Sequence, residues 1–192
     1  MLQELQNWIE STYRLEMEED LSPYLIGKRE LKRILKPGDP FRQAEEVVLC
    51  TESGGECFLG LYLKLRGSRL HRLLTTLEGV SHLRLMMHRL KFGENLSRLE
   101  LELQAEIDKF VFLRLQKPDE DPAFHLRRGA DLPGLNAEQR RLYGDSRRLA
   151  NRYCLRLERE FLSTHSRDGL FRELRGFYRM SHWRKLEHLG AP

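Results

Sequence analysis

The segment Glu78-Gly79-Val80-Ser81-His82 brings three reactive side chains close together in the sequence. A carboxylate, a hydroxyl and an imidazole are groups that enzymes use for general acid–base catalysis. Ser81 is equally suited to begin a helix, because its hydroxyl can accept a hydrogen bond from a backbone amide of the first turn. Two interpretations stay open: a small catalytic cluster that includes Glu78 and His82, or the start of a helix.

A second polar set, Glu100, Gln104 and Asp108, recurs at four-residue intervals within the segment 95–117. The apolar residues of this segment are spaced by three and four without Gly or Pro, which predicts a long central helix that is buried on most sides. Burial raises the pKa of a carboxyl group and suits it to proton transfer. Ser97 precedes Glu100 by three residues, as in a capping box. For Asp108 we expect an ion pair with an arginine of a later helix, and a general base is the alternative.

The third candidate is a row of five arginines in the segment 136–163: Arg141, Arg148, Arg152, Arg156 and Arg159. On one helix these side chains project within about 80° of one another. Arginine forms bidentate contacts with phosphate and carboxylate, so the row predicts binding to a nucleic acid or to an acidic protein. Pairing within the chain is the alternative, since Asp145 follows Arg141 by four residues.

The distribution of charge supports an arginine-rich second half. The net charge is +4, with 15 Lys/Arg and 8 Asp/Glu in residues 122–192 against 18 and 21 in residues 1–121. Either the opposite charges of the two halves pair within the chain, or the second half binds an anionic partner.

Several common sites are absent from the sequence. It has no Walker loop, GxGxxG, GxSxG or HExxH motif, and no two of its seven histidines have the i, i+3 or i+4 spacing of a helical metal site. We therefore expect neither a cofactor nor a metal ion. The three cysteines do not form a disulfide framework, which favours a reducing compartment.

A β-hairpin is predicted where EEVVLCT and ECFLGLYLKL flank the sequence Glu52-Ser53-Gly54-Gly55. A four-residue loop would place Cys50 opposite Cys57. Such a pair could be bridged or bind a metal, although two half-buried small side chains are the simpler interpretation. The segment SPYLI is a candidate third strand.

The fold class that these patterns predict is α+β. We expect one mainly helical domain over residues 1–192, with a small antiparallel hairpin or three-stranded sheet packed on the central long helix. Residues 1–117 hold the hairpin and several helices, including separate ones at 68–77 and 80–90 that Gly79 divides. Residues 118–135 form a loop, and residues 136–192 form an arginine-rich helical half that packs on the first.

The function that we expect from the sequence is that of a binding or regulatory protein without catalytic activity. No apolar run is long enough for a membrane span and no signal peptide is apparent, so we expect a cytoplasmic protein. Its arginine-rich C-terminal helices would engage an acidic protein or a nucleic acid. The alternative is a small metal-independent enzyme with a carboxylate and histidine site between the hairpin and the central helix, built from Glu78, His82 or Asp108.

Overall fold

A computed structural model describes residues 1–16, 19–53, 56–121 and 135–190. Within these ranges the chain forms seven α-helices and one two-stranded antiparallel sheet, so the predicted mainly helical α+β fold is confirmed. The helices are α1 (Leu2–Tyr13), α2 (Lys28–Ile34), α3 (Arg69–Lys91), α4 (Arg98–Gln116), α5 (Ala137–Leu157), α6 (Arg167–Arg179) and α7 (His182–His188), and the strands are β1 (Glu46–Ser53) and β2 (Glu56–Leu63).

The three longest helices begin at polar residues that cap them. The side chains of Ser68, Ser97 and Asn136 accept hydrogen bonds from backbone amides in the first turns of α3, α4 and α5. At Asn136 the side chain of Gln139 also returns to the backbone of the cap, which completes a capping box. The sequence analysis predicted the cap at Ser97, and the structure confirms it.

Helix α3 is one continuous helix of 23 residues, so the predicted division at Gly79 is wrong. Gly79 lies inside the helix, where the hairpin packs closely on it. A Cβ atom at this position would lie 2.7 Å from Cδ1 of Leu61 and 3.0 Å from Cδ2 of Leu63. The glycine therefore permits a close helix–sheet contact and does not end a helix. Ser81, in the helix interior, is not an N-cap.

The hairpin has a shorter turn than predicted. Ser53 pairs with Glu56, and Cys50 stands opposite Leu59, so the connection has two residues where four were expected. The segment SPYLI forms a 3₁₀ turn at Ser22–Tyr24, where Pro23 fixes a suitable φ, and adds only a single bridge between Leu25 and Leu61. The sequence left two alternatives open, a hairpin or a three-stranded sheet. The structure contains the hairpin.

The hairpin buries residues on both of its faces. Val48, Leu59 and Leu63 pack against the main core, which α3 dominates. Val47, Leu49 and Tyr62 pack in a smaller cluster that includes Leu31 of α2. Glu46 has the same parity in β1 as Val48, so its side chain lies on the face directed at α3.

The long helices α3, α4 and α5 pack along one another, which confirms the predicted contact between the two long helices. Most of the predicted 118–135 loop, residues 122–134, lies outside the described residues. Among the helices described, none combines the length and the apolar character that crossing a membrane requires.

Side chains of α6 donate hydrogen bonds to the last backbone carbonyls of α1. Helix α1 ends at Tyr13, because Arg14 takes a left-handed conformation with φ of 50°. Arg175 Nε donates to the carbonyl of Thr12 at 2.9 Å, and Arg179 Nη2 donates to the carbonyl of Tyr13 at 2.9 Å. Arginines far along the chain thus satisfy carbonyls that the helix leaves unpaired.

Replacing Gly79 with alanine is expected to lower the free energy of unfolding by about 1–3 kcal/mol, because the new methyl group would push against the hairpin. Urea denaturation measures the change. The matched control is Gly144→Ala in α5, where an added Cβ meets no atom within 4 Å. There the same substitution should raise stability by about 0.5–1 kcal/mol. Equal effects at both positions would contradict the close contact.

Candidate carboxylate and histidine site

The structure brings together residues from three elements between the hairpin, α3 and α4. Glu78 and His82 lie one turn apart on the same face of α3, as their i, i+4 spacing requires. Glu102 comes from the first turns of α4, and Glu46 is the first residue of β1. The close contact at Gly79 brings the hairpin onto α3, since a Cβ there would also lie 3.1 Å from Cγ of Glu46.

The imidazole of His82 occupies the centre of this group. Its side chain is 6% exposed, with Nδ1 at 3.4 Å from Oε1 of Glu46 and Nε2 at 3.9 Å from Oε2 of Glu102. The contact with Glu46 favours the tautomer whose proton is on Nδ1. Nε2 is then the buried atom that has no hydrogen-bond partner among the described residues. It lies within 4.8 Å of a carboxylate oxygen of Glu78 and of Glu102.

The carboxylates of Glu78 and Glu102 each have a further side-chain partner. Lys109 Nζ donates to Oε2 of Glu78 at 3.2 Å and to Oε1 of Glu106 at 2.8 Å. The hydroxyl of Tyr143, on α5, forms a hydrogen bond with Glu102. These contacts restrict the orientation of the carboxylates, so the cluster has a fixed geometry.

The electrostatics of the group are dominated by its excess of carboxylates. Burial lowers the pKa of His82, but Glu46, Glu102 and Glu78 raise it more, to about 10. Burial raises the pKa of Glu102 to about 7, even though His82 opposes the change. Burial would also raise the pKa of Glu78, but Lys109 and His82 hold it below its usual value.

The arrangement has the composition of a metal site. One ligand atom each from Glu78, His82 and Glu102 lies within 4.8 Å of the other two, and within the described ranges this is the one such group of three. Glu78 and Glu102 are 27% and 17% exposed, so the group is reached from solvent. Imidazole and carboxylate together suit a divalent transition-metal ion. The sequence analysis expected no metal, and that expectation stays a prediction.

Asp108 lies in a different, fully buried polar cluster. Ser81 Oγ donates to Oδ2 at 2.5 Å, Gln104 Nε2 donates to Oδ1 at 3.0 Å, and the hydroxyl of Tyr13 also donates to Oδ1. The expected ion pair with an arginine of a later helix is therefore wrong. Three neutral donors satisfy Asp108, and burial raises its pKa to about 6.

Glu100 also differs from the sequence-based interpretation. Its backbone amide donates to Ser97 Oγ at 3.1 Å, as a cap requires, but its carboxylate is buried rather than turned back to the helix start. Oε1 of Glu100 lies 2.6 Å from Nη2 of Arg89 and 2.8 Å from Nζ of Lys185. The residue holds two buried cations and joins α3, α4 and α7.

The predicted arginine row divides into two groups. Arg152 Nη1 donates to the carbonyls of Leu189 and Gly190 at 2.8 and 3.0 Å, and Arg156 pairs with Glu173. These two arginines attach α5 to the helices that follow it. The other three have exposed side chains with acidic neighbours: Arg141 and Arg148 lie 3.7 and 3.1 Å from Asp145, and Arg159 lies 2.9 Å from Glu160.

Sequence reasoning singled out Glu78 and His82 but not Glu46, Glu102 or Tyr143. The spacing of a carboxylate and a histidine at i and i+4 was a signal in the sequence, because such a pair can share one ion as two histidines do. The other residues come from distant segments, and only the tertiary fold brings them to α3.

Comparison with protein-family models, with curated proteins and with solved structures finds no match to this chain. The function is therefore inferred from the geometry alone.

Asp108→Asn is expected to remove part of the pH dependence of stability. Because the pKa of Asp108 is about 6 in the folded protein and about 4 in an unfolded chain, the native state loses stability as the pH rises through this range. The difference corresponds to about 3 kcal/mol at most. Unfolding free energies measured from pH 3.5 to 7 should therefore shift in favour of the variant as the pH rises. A constant offset between the two proteins would contradict the raised pKa.

Proposed function

We propose that the protein binds one divalent transition-metal ion through Glu78, His82 and Glu102. The observation that carries this proposal is the buried Nε2 atom of His82, which has no hydrogen-bond partner among the described residues and lies within 4.8 Å of two carboxylate oxygens. A buried polar atom without a partner costs about 1–3 kcal/mol. A metal ion would give it one.

The distances suit an ion after small side-chain rotations. Ligand bonds of about 2.0–2.2 Å in a tetrahedral site separate the ligand atoms by roughly 3.4 Å. His82 Nε2 and Glu102 Oε2 are already 3.9 Å apart. Because the three ligand atoms lie within 4.8 Å of one another, the carboxylates of Glu78 and Glu102 would have to turn towards His82 to bind the ion.

The residues behind the ligands support the same proposal. A metal-binding histidine usually donates its second ring N–H to a carboxylate, which orients the ring and makes it a better ligand. Glu46 has this relation to His82. Lys109 and Tyr143 hold Glu78 and Glu102 in a similar way.

The ligand set narrows the choice of metal. Ca²⁺ and Mg²⁺ prefer oxygen atoms alone, whereas an imidazole with two carboxylates suits Zn²⁺, Mn²⁺, Fe²⁺ or Co²⁺. Three protein ligands leave a coordination position for water, as in catalytic rather than structural sites. The partial exposure of Glu78 provides access to that position.

Loss of a residue that orients a metal ligand weakens metal binding by roughly 10- to 100-fold. His82→Gln and Glu102→Gln each remove a ligand, so each is expected to weaken metal binding by more than this. Glu46→Gln should fall within that smaller range, because it removes an orienting contact and leaves the ligands. Isothermal titration calorimetry of the metal-free protein with Zn²⁺ and Mn²⁺ gives the affinity and stoichiometry, with one ion per chain expected. The absorption spectrum of the Co²⁺ form reports whether an imidazole is bound.

The matched control is His71→Gln. His71 also lies on α3 and pairs with a glutamate next to β1, since its Nε2 is 2.5 Å from Oε2 of Glu45. That pair is half-exposed and contains no third ligand. The control should bind metal like the wild type. Stoichiometric binding that survives both His82→Gln and Glu102→Gln would overturn the proposal.

A second candidate function is binding of an acidic protein or a nucleic acid through three exposed arginines of α5 and of the π-helical turn Glu158–Leu162 that follows it. Arg141, Arg148 and Arg159 have side chains that are 85%, 56% and 76% exposed. Their acidic neighbours lie on the same helix, and such surface pairs contribute little energy. An anionic partner could therefore displace them.

Replacing Arg141, Arg148 and Arg159 with glutamine is expected to weaken binding to a short DNA duplex or to a glutamate-rich peptide at low salt. The loss should reduce the salt dependence of DNA affinity by about one counterion per phosphate contact removed. Fluorescence anisotropy measures both. The control replaces Lys28, Arg29 and Arg33, three exposed residues of α2, and changes the net charge by the same amount. Equal losses in both variants would indicate only general attraction by charge.

A further inference from the structure

The hairpin carries two cysteines whose sulfur atoms are in contact. Cys50 lies in β1 and Cys57 in β2, and their Sγ atoms are 3.1 Å apart. Both side chains are exposed, and all three cysteines of the chain are thiols.

The strand register explains this contact. Cys50 stands opposite Leu59, and Cys57 follows at an offset of two residues along β2. An offset of two keeps both side chains on the same face of the sheet, so they meet on a diagonal. A disulfide has a sulfur–sulfur distance of about 2.0 Å. Formation of the bond therefore requires the two sulfur atoms to approach by about 1 Å more.

The third cysteine provides an internal comparison. Cys154 is 1% exposed in the core, and burial raises the pKa of its thiol well above the usual value. Thiol reactivity depends on the thiolate and on access to it. The fold therefore places two of its thiols together at the surface and seals the third away from oxidants.

We propose that Cys50 and Cys57 form a reversible dithiol–disulfide site that reacts with peroxides. One thiolate attacks a peroxide oxygen, the O–O bond breaks, and a sulfenic acid and one molecule of water or alcohol result. The second thiol then attacks the sulfenyl sulfur, the S–O bond breaks, and water leaves as the disulfide forms. The two thiols lose two electrons in total, and the peroxide gains them. A small dithiol reductant reverses the change by exchange.

This site is separate from the proposed metal site. Glu46 begins β1, whereas Cys50 lies four residues further along the same strand, and neither sulfur belongs to the group around His82. Oxidation would bridge the two strands of the hairpin without removing a metal ligand. The two proposals can therefore fail independently.

The test treats the reduced protein with a small excess of hydrogen peroxide, denatures it, and alkylates the remaining thiols with N-ethylmaleimide for intact-mass analysis. The reduced protein takes up three labels, one for each cysteine. The oxidised protein should take up one, on Cys154, with a mass two hydrogens below that of the reduced chain before labelling. Dithiothreitol should restore three labels.

The variants Cys50→Ser and Cys57→Ser separate an internal bridge from simple oxidation. Each should lose the two-hydrogen change and accumulate a sulfenic acid or a disulfide-linked dimer at the remaining exposed thiol. Cys154→Ser should form the same bridge as the wild type. It should then take up no label after oxidation, because both of its remaining cysteines are in the bridge. Retention of all three labels under peroxide, conversion of Cys50 and Cys57 to sulfinic acids without a bridge, or a bridge that involves Cys154 would each overturn the proposal.

Discussion

The structure depends on the pairing of charges that α3 carries into the interior. An ion taken out of water costs several kcal/mol unless a partner of opposite charge or several hydrogen-bond acceptors receive it. Arg84 and Arg89 are 0% and 2% exposed, and His82 is almost as deeply buried. Arg84 meets Glu10 of α1, Arg89 meets Glu100 of α4, and His82 meets Glu46 of β1. Each pair fixes one neighbouring element against α3, so the helix orients most of the fold.

The same requirement gives the candidate site its character. Along most of α3 each buried cation has a carboxylate or carbonyl partner, but around His82 the carboxylates outnumber the cations, and the pKa of Glu102 rises to about 7. In the network around Glu100, by contrast, the two cations Arg89 and Lys185 are matched by the two carboxylates of Glu100 and Glu94. The excess of carboxylates around His82 supports the metal-binding proposal.

The sequence correctly predicted the features that depend on residues close together along the chain. The cap at Ser97 and the buried central helix depend on residues a few positions apart, and they were predicted correctly. Gly79 was misinterpreted because a glycine that ends a helix and a glycine that admits a neighbouring sheet look alike in one dimension. Glu46 and Glu102 were missed for a related reason. Their role depends on which elements face α3, and no short pattern encodes that.

The hydrogen bonds from α6 to the end of α1 have a consequence for the order in which the chain folds. Thr12 and Arg175 are separated by 163 positions, so the donor is synthesised long after the acceptor. Until then, α1 has neither the guanidinium groups for its last carbonyls nor the aromatic side chain of Tyr178 that stacks on Tyr13. On the ribosome, which adds about 5–20 residues each second, the first helix of the chain must therefore wait about 8 to 33 seconds for the contacts that complete it. The C-terminal end of α1 is therefore completed late in folding, although its sequence is among the first to emerge and its pairing with α3 needs only the first half of the chain.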